Sequence, residues 1–199
     1  MSRKVLIING SYRANGITDK TLQLMAATLH AHNIRHETIQ LRDYPLKFCI
    51  NCRECTQQPG KEPGHCIQSD DMQALISKIE AADAYILASP TNFGTVTALY
   101  KRFMERLVVY AYWPWEAHAP QYRKATLPPK KAIIISSSGA PGWLGRWAFG
   151  TVSQLKQTAK AIGAKPVGTL FNGMASQKTR RGLSTATQQK AQALALKLV

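Results

Sequence analysis

Residues able to bind an anion are concentrated in Gly10-Ser11-Tyr12-Arg13-Ala14-Asn15-Gly16-Ile17-Thr18. An apolar run, Val5 to Asn9, precedes this stretch, and Leu22, Met25, Ala26 and Leu29 follow at the spacing of a half-buried helix. A strand, a polar turn and a helix start present free backbone N–H groups and the positive end of a helix dipole to a ligand. Gly10 and Gly16 allow close backbone approach, Ser11 and Thr18 offer hydroxyl donors, and Arg13 offers a permanent charge. The chemistry this implies is phosphate binding. The loop lacks both the Gly-Lys-Ser/Thr ending of a triphosphate-binding loop and the G-x-G-x-x-G dinucleotide fingerprint.

Two further loops carry similar residues. Pro90-Thr91-Asn92-Phe93-Gly94 offers backbone N–H groups and an aromatic surface for a planar ring. Ser136-Ser137-Ser138-Gly139-Ala140-Pro141-Gly142 is rich in hydroxyls and glycine. The four cysteines form a separate group: Cys49, Cys52 and Cys55 are spaced by two residues, and Cys66 follows with His65 beside it. They are expected to be free thiols or metal ligands rather than disulfides. Unligated thiols, an iron–sulfur cluster and a zinc ion all stay open, and no metal ligand is assigned.

The elements that must position these loops alternate. Val5–Asn9, Asp83–Ser89 and Ala132–Ser136 read as buried strands, Ile34–Leu41 as a polar strand, and Lys165–Phe171 as one broken by Pro166 and Gly168. Helices are expected from about Thr18, from Ser69-Asp70-Asp71 with Ser69 or Asp70 capping, over Val96–Val108, from Trp147 through Val152, Leu155, Ala159 and Ile162 to Gly163, and over Ser184–Leu198. Five such alternations predict a doubly wound five-stranded parallel sheet, order 2-1-3-4-5, with helices on both faces. Ligands of such sheets bind beyond the carboxyl ends of the strands, where the three polar loops would meet. Tyr110 to Pro129 is irregular and aromatic; its Trp113-Pro114-Trp115 is a candidate for a dimer contact, an active-site wall, or packing over the sheet.

The 199 residues are expected to form one domain, 1–199. No apolar run is long enough for a membrane span, and no signal-peptide pattern opens the chain, so a cytoplasmic location is expected. The net charge is +15, and from Ala111 onward thirteen Lys/Arg stand against Glu116, a net +12. That favours anionic partners, although no nucleic-acid reading motif is present and nucleic-acid binding is not expected.

These motifs together resemble the flavodoxin-like NAD(P)H-dependent FMN reductases, including their iron–sulfur flavoprotein branch. The resemblance rests on Gly10–Thr18, on Cys49, Cys52, Cys55 and Cys66, on Asp70-Asp71-Met72, on Ala82–Gly94 and on Lys101-Arg102-Phe103. It implies FMN with its phosphate held by Ser11, Arg13, Gly16, Ile17 and Thr18. Pro90, Thr91, Asn92, Phe93 and Gly94 would line the isoalloxazine and ribityl chain, and Ser137, Ser138 and Gly139 would close the other side. It further implies NAD(P)H as hydride donor, a quinone, flavin or similar small molecule as acceptor, and a homodimer or homotetramer. The alternative is a flavodoxin-type or iron–sulfur flavoprotein electron carrier that does not use NAD(P)H directly. No catalytic acid or base is assigned.

Overall fold

The computed structural model describes residues 3–175 and 182–198. The basic residues Lys178, Arg180 and Arg181, counted above, lie outside the described residues. Along the chain run β1 (Lys4–Asn9), α1 (Ile17–Ala31), β2 (Arg35–Gln40), α2 (Met72–Glu80), β3 (Ala84–Pro90), α3 (Ala98–Arg106), β4 (Ala111–Tyr112), β5 (Gln121–Tyr122), β6 (Lys130–Ser137), α4 (Gly142–Ala148), α5 (Thr151–Ala161), β7 (Ala164–Asn172) and α6 (Thr185–Leu196). The main sheet has the order β2-β1-β3-β6-β7, all parallel. Counting only its own strands, this is the expected 2-1-3-4-5 arrangement, a flavodoxin-like fold.

The central strands read as continuous apolar runs because both faces are covered. Val5, Ile7, Ile86, Ile133 and Ile135 point to one side and pack with Leu22, Met25 and Leu29 of α1 and Leu194 of α6. Leu6, Ile8, Leu87 and Ile134 point to the other and meet Leu75 and Ile79 of α2, Leu99 and Phe103 of α3, and Leu155 of α5. The edge strand β7 absorbs Pro166 with a register shift between Ala132 and Ile133 of β6. There the missing N–H costs no central ladder bond. Among the described residues, no helix is long and apolar enough to cross a membrane.

The helix expected from Trp147 onward is two helices. The chain leaves helical geometry at Phe149 and restarts at Thr151, so Trp147 belongs to α4 and is 89% exposed rather than inward. Val152, Leu155, Ala159 and Ile162 keep the buried stripe. The irregular segment from Tyr110 contains the small antiparallel pair β4 and β5.

Candidate functional site

The loops after β1, β3 and β6 converge at the carboxyl end of the sheet around a cleft of about 220 Å³. Ser11, Arg13, Gly16, Ile17, Thr18, Pro90, Thr91, Asn92, Ser137, Ser138 and Gly139 line it, joined by Tyr12, Thr97 and Ala175. The N-cap of α1 is Gly16, which has no side chain to cap it. The first helical turn therefore keeps its N–H groups for a ligand, and its dipole favours an anion there.

Buried polar contacts hold the first loop in shape. The Asn9 side chain accepts the Ser11 N–H at 2.9 Å and donates to Gln40 at 2.8 Å and to Asp19. Asp19 also accepts the Asn15 N–H at 3.0 Å and an Arg42 N–H at 3.4 Å, while Arg42 donates to the Ser11 carbonyl at 3.2 Å. Thr97 caps α3 through the Tyr100 N–H at 3.1 Å and donates its hydroxyl proton to the Gly10 carbonyl at 2.7 Å. The first and third loops are joined across the cleft by the Thr18 and Ser137 hydroxyls, 3.0 Å apart. Asn9, Asp19, Arg42 and Thr97 were not singled out from sequence, where only the helix-capping pattern of Thr97 offered a signal.

Phe93 and Gly94 stand outside the cleft wall. Asn92 and Thr95 exchange both backbone hydrogen bonds, at 2.9 and 3.0 Å, around a tight turn whose central residues have φ of 47° and 75°. Positive φ at both central positions is the geometry of a two-residue hairpin turn. It turns the Phe93 ring fully into solvent at the mouth of the cleft. A bulky residue in this backbone region is unusual and is held by its surroundings. Here the Gly94 carbonyl is fixed by the Gly150 N–H at 2.8 Å, and Thr91 by the Thr151 hydroxyl at 2.8 Å.

The cysteines line a second cavity, of about 300 Å³, with Arg53, Arg106, Val108, Val109 and Trp113 on its walls. Burial, followed by the neighbouring Cys66, Cys49 and Cys52, pushes the Cys55 thiol up to about 11. Among the described residues, no three His, Cys, Asp or Glu side chains are placed to hold a metal ion.

Three arginines brace this loop. Arg53 donates to the Trp113 carbonyl at 2.8 Å and lies against both indoles, 3.9 Å from the Trp113 centroid and 4.5 Å from that of Trp115. Trp113-Pro114-Trp115 thus packs on the cysteine loop. Arg123 donates to the Cys55, Val109 and Gly60 carbonyls at 3.1, 3.0 and 3.2 Å. Arg106 pairs with Asp70 at 2.6 Å. Burial alone would raise the Asp70 carboxyl, but Arg106 and the N–H groups of Lys47 and Met72 hold it below the usual carboxylate range. Asp70 also accepts the N–H of Met72, the first residue of α2, at 3.1 Å, one position before the N-cap Asp71.

A curated iron–sulfur flavoprotein of Archaeoglobus fulgidus is 34% identical over 103 residues, 52% of this chain and 48% of its own length. One of Methanocaldococcus jannaschii is 37% identical over 103 residues, 52% of this chain and 51% of its own length. The match therefore spans about half the length of these relatives. Among solved structures, an azoreductase from Bacillus anthracis superposes with a TM-score of 0.72 at 17% identity, covering 98% of this chain and 99% of that one, a likeness of fold. The model of the NADPH-dependent FMN reductases matches residues 3–179, which takes in all three cleft loops and the cysteine loop, and the chain belongs to that family.

Proposed function

We propose that the cleft binds FMN, and that the protein takes hydride from NAD(P)H and delivers electrons to a quinone, free flavin or similar small acceptor. The observation that carries this reading is the meeting of the uncapped α1 N-terminus, Arg13 and the hydroxyls of Ser11, Thr18 and Ser137 around one cleft. Ser11, Arg13, Gly16, Ile17 and Thr18 would hold the phosphate through N–H, hydroxyl and guanidinium donors. Pro90, Thr91 and Asn92 would line the ring and ribityl chain, with Phe93 and Gly94 at the mouth, and Ser137, Ser138 and Gly139 opposite. FMN, when bound, supplies the hydride-accepting centre; the chain's task is to fix its orientation and exclude water. No side chain need move a proton for that step, and residues 1–199 act as one FMN-binding unit. Stopped-flow mixing of the flavin-loaded protein with NADPH and with NADH tests this. Bleaching of the flavin bands is expected, and a flavin that stays oxidised with both donors would reject the reductase and leave the electron-carrier alternative.

A second reading concerns the thiols. A single zinc ion needs its sulfurs about 2.3 Å from one point, whereas these four cysteines surround a cavity without three of them meeting. That spread, the soft donor set and two buried guanidinium N–H groups on its wall that lack acceptors among the described residues suit a polynuclear iron–sulfur cluster better than zinc. Cys49, Cys52, Cys55 and Cys66 would ligate it, and it would supply one-electron storage. Iron and acid-labile sulfide in anaerobically purified protein are the expected findings; one equivalent of zinc without iron would reject it. For quaternary structure the reading is a homodimer or homotetramer, which a monomeric mass by light scattering would overturn.

A further inference from the structure

FMN binding leaves Arg106 without a task. It leaves the last turn of α3 with only 1% of its surface exposed and reaches the wall of the thiol cavity. Two of its nitrogens grip Asp70, Nη1 at 2.6 Å and Nη2 at 3.1 Å, and Nη1 also donates to the Lys47 carbonyl at 2.9 Å. These contacts complete an ion pair, and they involve no sulfur. Nη2 nevertheless also donates to the Cys66 Sγ at 3.4 Å. Among the described residues, the remaining donor, Nε, is buried with no partner, as is Nε of Arg53 on the same cavity wall. A buried N–H lacking an acceptor is costly until one arrives, and an electron-rich sulfur is an acceptor.

We propose that Arg106 is a positioning residue of the thiol site, whose hydrogen bond to Cys66 raises the reduction potential of an iron–sulfur cluster held by the four cysteines. This rests on the second reading above. Reduction adds one electron and one negative charge to the cluster. An N–H pointing at a ligating sulfur stabilises the more negative state, because hydrogen bonds to the sulfurs and local charge set cluster potentials. Asp70 fixes the direction of the guanidinium, so the donor stays on Cys66. Arg53, held by the two indoles, offers a second donor on the cavity wall. A lysine at position 106 would keep the charge but lose the planar fork that serves Asp70 and Cys66 together.

The test is a redox titration of the full chain purified under argon, reading cluster and flavin signals in one sample. The variants are Arg106→Lys and the charge-balanced double Arg106→Gln/Asp70→Asn, which leaves no carboxylate buried without its partner. Both are expected to keep iron and sulfide while the cluster's reduction equilibrium falls about tenfold, 59 mV for one electron, and the flavin potential stays in place. An unchanged cluster potential with iron retained would overturn the proposal and leave Arg106 as a brace. Loss of iron from a folded variant would also overturn it, since Arg106 would then serve assembly rather than potential. Wild-type protein with bound flavin but no iron or sulfide would remove the cluster reading itself, and this inference with it.

Discussion

Gly10→Ala should be a costly single-methyl change at the cleft. A Cβ built at Gly10 falls 2.6 Å from Tyr100 Cδ2, 2.8 Å from Tyr100 Cβ and 3.1 Å from Tyr100 Cγ. Carbon atoms rest about 3.5–4.0 Å apart, so the overlap approaches about 1 Å. Neither side can give way easily. The Gly10 N–H is bonded to the Ala88 carbonyl at 2.8 Å, and its own carbonyl accepts the Thr97 hydroxyl at 2.7 Å. Tyr100 is fully buried and packs edge-on to Phe103 at 5.8 Å. Overpacking of this kind costs about 1–3 kcal/mol. For a chain of this size each kcal/mol moves Tm by about 2–4 °C, so a fall of roughly 2–12 °C is expected. Gly16→Ala is the control: its φ is −70° and the nearest atom is Arg13 Cβ at 3.5 Å, an ordinary contact. Urea unfolding of both variants against wild type reads the difference. A Gly10→Ala midpoint equal to that of Gly16→Ala would refute the reasoning, because it would mean that Tyr100 can move.

Arg13→Ala should weaken FMN binding about tenfold or more, the loss of one charge-assisted hydrogen bond; an unchanged Kd in a flavin fluorescence titration would count against Arg13 as a phosphate ligand. Asp19→Ala strands the Asn15 N–H and removes an acceptor from Asn9 and Arg42, and should cost on the order of 2 kcal/mol in urea unfolding, with looser flavin binding alongside. The Asp70 carboxyl is held below its unfolded value, so its contribution is present above about pH 4 and is lost as pH falls through the folded value. The stability gap between wild type and Asp70→Asn should therefore narrow between neutral pH and pH 3, and a constant gap would contradict the pairing. In metal-free protein at pH 8, Cys55 should be the slowest cysteine to react with iodoacetamide, since its thiol is buried and pushed up to about 11; peptide mapping would read the order.

The strands and the three cleft loops were legible in the sequence because each depends on local pattern. Val5–Ile8 and Ile133–Ile135 are unbroken apolar runs only because they are covered on both faces, and their loops carry the small polar residues that turns need. Contacts between distant residues leave no such trace. Ser69 or Asp70 reads as a helix cap, whereas the structure caps α2 at Asp71; the pairing of Asp70 with Arg106, 36 positions on, is visible only once the chain has folded. Arg53 with Trp113 and Trp115, and Asp19 with Asn9 and Arg42, are of the same kind. Phe93 is of another kind: its type suggests a surface for a flat ring, and the backbone of the Asn92–Thr95 turn decides where that ring stands. Trp147 fitted the helical period by coincidence, on a helix that ends at the next residue, Ala148.

The manner in which the cysteine loop is fastened bears on the order in which the chain assembles. Between Asp43 and Met72 its only regular structure is one short turn, Glu54–Thr56. Its anchors join positions 53 to 113, 55 to 123 and 70 to 106, all distant along the chain. Closing such loops costs entropy before any contact repays it. The segment should consequently dock only after α3 and β5 are in place, and should release as one cooperative unit ahead of the sheet. Amide hydrogens at Thr56, Gly64 and Trp113, bonded to Arg53, Val109 and Thr56, would then exchange together and sooner than those of β1 and β3.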